Sequence, residues 1–180
     1  PPHAPPATFT VLLSRPKASC PYGWRLDPTD GEKLYICELR DDPSTAVQLH
    51  NAGASPDQAI RKGDYILAVG EERGNATAMA AALVHQERAE LLIQRPIVSE
   101  VRITKERAEA TGFSLKFAPD GTTLLIEAVC AGAAQRAGAD IRAGDRVLRV
   151  GCVAGSARDL LAAMQRGEVL DLQVSRARAA

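Results

Sequence analysis

The chain lacks an excess of charge of either sign and lacks a long apolar run. Lys plus Arg and Asp plus Glu both number 22, so no long-range field attracts nucleic acid or an anionic membrane. Although 46% of the residues are hydrophobic, no apolar run approaches the roughly 18–20 residues that a bilayer crossing needs. We therefore expect no nucleic-acid partner and no transmembrane segment.

Histidine is scarce and poorly placed for chemistry. His3, His50 and His85 belong to no repeated grouping of acid, base and nucleophile, and the chain has no Gly-x-Ser-x-Gly turn. It also has no zinc-type His/Cys spacing and no phosphate-binding glycine–lysine loop. We expect no catalytic residue, no metal and no cofactor, and hence no enzyme.

Cysteine is also scarce. The chain has four, without a Cys-x-x-Cys spacing and in or beside apolar segments: Cys20, Cys37, Cys130 and Cys152. Buried free thiols in a reducing compartment are the simplest interpretation, with a disulfide left open. The cytoplasm is the first expectation, and an organelle interior or a peripheral position on a membrane complex are the alternatives.

The chain does contain a long internal repeat. Residues 63–70, GDYILAVG, return as residues 144–151, GDRVLRVG, 81 positions later. The register holds without a gap from Ile60/Ile141 to Arg95/Arg176, and 14 of these 36 aligned pairs are identical. A period near 80 is too long for a solenoid repeat and indicates two copies of a small domain. We call them copy 1 and copy 2.

Propensity and turn signals predict a mostly β fold with short helices in both copies. The predicted strands are 9–13, 24–26, 34–39, 65–69 and 89–95 in copy 1, and 101–103, 113–117, 124–129 and 169–174 in copy 2. Helices are expected over 76–86, capped by Asn75, over 157–165, capped by Ser156, and briefly over 133–137. Residues 41–58 form a predicted surface insert.

The most informative local pattern is a glycine between apolar or small residues before the second strand. Tyr22-Gly23-Trp24 and Thr111-Gly112-Phe113 occupy the same position in the two copies. Glycine permits a backbone conformation in which successive N–H groups converge, and such a nest suits a carboxylate. The pattern therefore favours capture of a chain end.

At these loops and at the Gly-Asp strands the chain resembles the PDZ domain family. The family's loop typically reads Gly-Leu-Gly-Phe, and its later strand begins Gly-Asp-x-Ile/Val-Leu-x-Val. The resemblance implies two PDZ-like, partly open β-barrel or sandwich domains, each with about five to six strands capped by one or two helices. We expect a proline-rich linker at 1–7, domain 1 at 8–95, a short linker at 96–98, domain 2 at 99–176 and a tail at 177–180.

The resemblance implies a non-enzymatic module that binds carboxyl-terminal or internal peptide segments by β-augmentation, as a scaffold or adaptor. The carboxylate loops would be Tyr22, Gly23 and Trp24, and Thr111, Gly112 and Phe113. The peptide pockets would be lined by Leu26, Ala76, Ala80, Leu83, Leu115, Ala157, Leu161 and Met164. Basic residues before each loop, Arg15 or Lys17 and Lys105 or Arg107, would add charge. An apolar terminal residue is expected on the ligand.

Both copies depart from the family pattern. Many PDZ domains have a histidine at the first residue of the groove helix, whereas the caps put Ala76 and Ala157 there, which predicts an apolar preference at the ligand's third-last residue. Trp24 is larger than the usual Phe, and Thr111 makes the second loop more polar. The alternative hypothesis is a docking segment of a large assembly, or a protease's regulatory region, whose grooves bind no free peptide and whose contacts use residues 41–58.

Overall fold

The computed structural model describes residues 7–178, and the predicted proline-rich linker at 1–7 lies almost wholly outside that range. The described chain forms two compact units, residues 7–96 with Arg178 and residues 97–177, which hold copy 1 and copy 2. Each unit contains one antiparallel six-stranded sheet and two helices. The predicted fold class, mostly β with two small domains that each have about six strands and two helices, is confirmed.

The first unit runs β1 (Thr8–Ser14), β2 (Trp24–Asp27), β3 (Leu34–Leu39), α1 (Ala46–Gly53), β4 (Tyr65–Val69), β5 (Glu72–Arg73), α2 (Ala76–His85) and β6 (Arg88–Gln94). Its strands are hydrogen-bonded in the order β1-β6-β4-β3-β2, and β5 pairs with β4. The second strand, β2, therefore lies at an edge of the sheet.

The second unit repeats this order as β7 (Ile97–Thr104), β8 (Phe113–Lys116), β9 (Leu124–Val129), α3 (Ala133–Arg136), β10 (Arg146–Val150), β11 (Val153–Ala154), α4 (Ala157–Arg166) and β12 (Val169–Arg176). The strand order is β7-β12-β10-β9-β8, with β11 on β10. Its second strand, β8, is again an edge strand.

The cores follow the periodicity of the sequence. Burial alternates along β1, so that Phe9, Val11 and Leu13 face the core. Each long helix buries one apolar stripe: Met79 in α2 and Leu160 in α4 are fully covered. These buried residues pack each helix against the sheet, and the opposite side of the helix faces solvent.

The predicted helix caps are confirmed. Asn75 Oδ1 accepts the N–H of Ala78 at 3.0 Å, and Ser156 Oγ accepts the N–H of Asp159 at 3.3 Å. These bonds satisfy donors that the first turn leaves without an intrahelical partner. The caps fix where α2 and α4 begin, and so place the first residue of each helix at Ala76 and Ala157.

The repeated Gly-Asp motif has a structural role. Asp64 and Asp145 are each 1% exposed; Asp64 is paired with Arg95, and Asp145 accepts from Arg176 Nε at 2.8 Å. Each carboxylate also accepts the N–H of the residue three positions earlier, at 2.8 Å. Loss of one member would leave a buried charge unpaired, which accounts for the same residues at the same spacing in both copies.

Some elements differ from the expectation. Residues 41–58 contain the helix α1, whose Ala46 and Val47 are buried, instead of only a surface excursion. Strand β7 begins at Ile97, inside the segment expected to be a linker, and the short β5 and β11 had no sequence signal.

The expectation of four buried thiols is wrong in part. All four cysteines are free, but only Cys37 is buried, while Cys130 and Cys152 are exposed. Burial raises the pKa of the Cys37 thiol. None of the helices within residues 7–178 is long and apolar enough to cross a membrane.

Candidate functional site

Both loop glycines are required by the backbone. Gly23 has φ +104° and Gly112 has φ +89°, a region that side chains with a Cβ rarely adopt. A Cβ at Gly23 would lie 2.3 Å from Thr45 Oγ1, and one at Gly112 would lie 2.8 Å from the Cys130 carbonyl oxygen. Each loop is thus held tightly against the segment that follows the third strand.

The carbonyl groups of the second loop are used within the fold, and its N–H groups are not. Thr111 C=O accepts the N–H of Ala134 at 3.0 Å, and Gly112 C=O accepts the N–H of Cys130 at 2.8 Å. Within residues 7–178, no backbone acceptor takes the N–H of Thr111 or Gly112. These two donors stay available for an anionic group.

The edge strand continues this pattern. Phe113 is opposite Val129 in the β8–β9 register, one step beyond the bond between Gly112 and Cys130. In an antiparallel ladder hydrogen-bonded and non-hydrogen-bonded pairs alternate, so the N–H and C=O of Phe113 point away from β9. The outer edge of β8 therefore offers a backbone donor and acceptor to an added strand.

In copy 2 these groups border a cavity of about 450 Å³. Six of the seven loop and pocket residues predicted for this copy line it: Thr111, Gly112, Phe113, Leu115, Leu161 and Met164. Ala157, also predicted, is only 1% exposed and belongs to the core of the unit. The structure thus brings together the predicted loop, the edge strand β8 and the helix α4 around this cavity.

Six further residues line the same cavity: Lys105, Glu109, Ala110, Cys130, Ala131 and Gln165. Of these, only Lys105 was singled out from the sequence. Lys105 Nζ donates to the carbonyl oxygens of Met164 at 3.0 Å and Gln165 at 3.2 Å. The lysine therefore caps the carboxyl terminus of α4, where the helix dipole favours a cation.

Glu109 is held by an arginine of the neighbouring helix. Arg136 donates to both carboxylate oxygens, at 2.9 and 2.6 Å, and also to the Thr104 carbonyl oxygen at 2.9 Å. The hydrogen bonds from Arg136 lower the pKa of Glu109 from 4.5 to about 2. No sequence signal links these residues, which are 27 positions apart. The pair ties the carboxylate loop to α3.

The corresponding space in copy 1 is occupied by the protein's own side chains. Tyr22, which takes the position of Thr111, is 5% exposed. Its ring stacks on Trp24 with centroids 5.5 Å apart, and its hydroxyl donates to the Gln86 carbonyl oxygen at 2.7 Å. Burial raises the pKa of Tyr22 although a nearby arginine opposes this.

Arg15 covers the other face of that ring. Its guanidinium lies 4.4 Å from the Tyr22 centroid, a cation–π distance. The same group donates to the carbonyl oxygens of Leu83 at 2.7 Å, Gln86 at 2.9 Å and Cys20 at 2.7 Å. We call this arrangement of Arg15, Tyr22 and Trp24 the aromatic plug.

The plug changes the expected symmetry of the two grooves. Tyr22 was predicted to belong to the carboxylate loop beside an open pocket lined by Leu26 and Leu83, and it instead fills the space beside the loop. Trp24 and Leu26 are partly buried against the core, and Leu83 is 5% exposed. The sequence did carry a signal, since a large aromatic in copy 1 aligns with a threonine in copy 2.

The predicted helix residues divide into two kinds in both copies. Ala76 and Ala157 are 0% and 1% exposed, and thus form core contacts rather than an open groove wall. Ala80 and Leu161, one turn later, are partly exposed at equivalent positions. The side chain at this partly exposed position differs in size between the copies, since it is Ala80 in copy 1 and Leu161 in copy 2.

The basic residues before each loop also differ from the expectation. Arg15 binds carbonyl groups at the carboxyl-terminal end of α2, and Lys105 binds those at the carboxyl-terminal end of α4. Within residues 7–178, no cluster of three or more His, Cys, Asp or Glu side chains could hold a metal ion.

No protein-family model and no curated protein matches the chain. Among solved structures, the chain is similar to INAD PDZ45 in complex with NG2 peptide, at 14% identity and TM-score 0.40, over 99% of this chain and 93% of that chain. It is also similar to a choanoflagellate SHANK1 PDZ domain bound to GIRK3 peptide, at 26% identity and TM-score 0.40, over 47% of this chain and 97% of that chain. A third similar structure is a complex of INAD PDZ45 and NORPA CC-PBM, at 15% identity and TM-score 0.39, over 98% of this chain and 95% of that chain. The fold described above rests on the strand order and the helices of each unit.

Proposed function

We propose that copy 2 binds the carboxyl end of a partner polypeptide by β-augmentation. The observation that carries the proposal is the cavity of about 450 Å³ beside the Gly112 loop. The ligand would add as a strand along β8, and its carboxylate would accept the N–H groups of Thr111, Gly112 and Phe113.

The chemistry of the cavity supports an apolar terminal residue on the ligand. Phe113, Leu115, Leu161 and Met164 give it an apolar wall. Burying a Val or Leu side chain there is worth about 1.5–3 kcal/mol before ordering costs. Such binding is weak and reversible, which suits an interaction module that brings partners together.

For copy 1 we propose the docking role that was the alternative hypothesis for the whole chain. The aromatic plug supports it, because a ligand side chain would have to displace the buried ring of Tyr22 and break its hydrogen bond to Gln86. Copy 1 would then act as a docking segment of a larger assembly, without taking up a free chain end.

The proposal is tested by titrating the full chain with labelled decapeptides that end in Val, Leu, Ile or Phe, each as free acid and as amide, and measuring fluorescence anisotropy. We expect the free acids to bind and amidation to weaken binding at least tenfold. Equal binding of acid and amide, or no binding of any peptide, would contradict carboxylate capture.

A matched pair of variants assigns the groove. Leu161→Lys puts a charge into the wall of the copy 2 cavity, and Ala80→Lys puts one at the equivalent position of copy 1. We expect Leu161→Lys to abolish binding and Ala80→Lys to leave the affinity within about twofold. The reverse result would assign peptide binding to copy 1.

A further inference from the structure

The outer face of the edge strand carries a different polar contact in each copy. In copy 1, Arg25 Nε lies 3.2 Å from Glu38 Oε2, and the two residues are opposite each other in the β2–β3 register. In copy 2, Ala128 is opposite Ser114, and Ser114 Oγ donates to the neighbouring Glu127 Oε2 at 3.2 Å, where the β8–β9 register shifts. A guanidinium therefore lies beside the carboxylate in copy 1, whereas a neutral hydroxyl contacts Glu127 in copy 2.

The pair in copy 2 lies on the face opposite the cavity. Phe113 and Leu115 line the cavity, so alternation along the strand turns Ser114 outward. Glu127 is exposed, whereas Ile126 beside it is fully buried. The hydrogen bond between Ser114 and Glu127 confirms that both side chains share the outer face.

The register of an added strand follows from the proposed carboxylate position. With the terminal residue opposite Phe113 and its side chain in the cavity, the penultimate residue lies opposite Ser114 and faces outward. Directly opposed Cβ atoms are about 4.5–5.5 Å apart, and Glu127 belongs to the next strand, about 4.8 Å further. A long basic side chain spans that distance across the small Ser114.

We propose that copy 2 selects ligands with Arg or Lys at the penultimate residue, and that Glu127 is the specificity-determining residue. This inference rests on the proposed function of copy 2. The ligand's cation would lie beside the exposed Glu127 carboxylate, which Ser114 contacts with a neutral hydroxyl. Lys116, which is exposed two positions after Ser114, repels a cation at the fourth residue from the end, so the preference is confined to the penultimate one.

The experiment uses the full chain and three free-acid decapeptides ending in Val that differ only in the penultimate residue: Arg, Ala or Glu. We expect the Arg peptide to bind about two- to fivefold more tightly than the Glu peptide, the range of an exposed ion pair. The difference should shrink at high salt.

Two variants test the assignment. Glu127→Gln should make the affinities for the Arg and Glu peptides equal. Ser114→Arg, which puts a guanidinium of the chain itself next to Glu127, should equalise or invert the two affinities. Glu38→Gln in copy 1 is the matched control and should leave the ratio unchanged.

The possible failures are distinguishable. Binding of all three peptides with equal affinity, or a ratio that survives in Glu127→Gln, overturns the penultimate selectivity alone. No binding of any free-acid peptide overturns the function proposed for copy 2, and the selectivity with it.

Discussion

The two copies share a framework and differ at the carboxylate loop. Both use a buried Asp–Arg pair, a capped helix and a left-handed glycine. Copy 1 fills the space beside its loop with Tyr22, whereas copy 2 has Thr111 and a cavity of about 450 Å³. The residues that specify the fold are therefore shared by the two copies, whereas the exchange of Tyr22 for Thr111 determines whether the groove beside the loop is open.

The largest expected effect comes from removing the plug. Tyr22→Ala deletes a ring that is 5% exposed and should cost about 3–5 kcal/mol of the free energy of unfolding, the range for large aromatic truncations. Urea unfolding followed by Trp24 fluorescence measures it. Tyr22→Phe loses only the hydroxyl bond to Gln86 and should cost about 0.5–1.5 kcal/mol. Equal costs for the two variants would show that the ring is not packed as described.

Replacement of the loop glycine in copy 2 should be nearly as costly. Gly112→Val combines strain at positive φ with a clash on the Cys130 carbonyl oxygen, and should cost roughly 2–5 kcal/mol. Gly151→Ala, at φ +58° with nothing within 4 Å of its Cβ, is the control and should cost about 1–2 kcal/mol. Urea unfolding compares them. Similar costs at both positions would contradict the tight loop contact.

Rebuilding the plug in copy 2 should remove peptide binding. The double variant Thr111→Tyr with Lys105→Arg copies Arg15 and Tyr22 into the cavity, and should weaken binding of a free-acid peptide at least tenfold, because the ring competes for the same space. Thr111→Ser keeps the side chain small and serves as the control in the same anisotropy assay. Unchanged affinity in the double variant would mean that the cavity is not the binding site.

The smallest effect concerns acid stability, which should differ between the units. Arg136 lowers the pKa of Glu109 to about 2, so the ionised carboxylate stabilises copy 2 fully above pH 4.5, and this contribution is lost as the pH falls from about 4.5 towards 2. Cys20 occupies the equivalent position in copy 1, so copy 1 has no carboxylate there. The melting temperatures of the native chain and Glu109→Gln should differ at pH 7 and converge near pH 2. A constant difference would contradict the assignment.

Much of the fold could be predicted because its signals are local and occur twice. The Gly-Asp strands, the caps Asn75 and Ser156, and the glycine loops each combine a residue type with a fixed position. Helix α1 was missed because its segment is short and flanked by Pro43 and Pro56, and its stability comes from burial of Val47, a tertiary contact.

The state of the two grooves was harder to predict. The bonds from Arg15 to Leu83 and from Arg136 to Glu109 join positions 68 and 27 residues apart, and no local pattern encodes them. The sequence did show the exchange of Tyr22 for Thr111, but only the fold shows that the larger ring turns inward and fills the space. The roles predicted for the loop and pocket residues stay predictions until binding is measured.

The most direct test of the account is an amide-resolved NMR titration of the ¹⁵N-labelled full chain with a free-acid peptide ending in Val. We predict that the signals of Thr111, Gly112 and Phe113 shift with peptide concentration, while those of Tyr22, Gly23 and Trp24 do not. Shifts in the first loop, or no shift in the second, would contradict the claim that copy 2 holds the open groove.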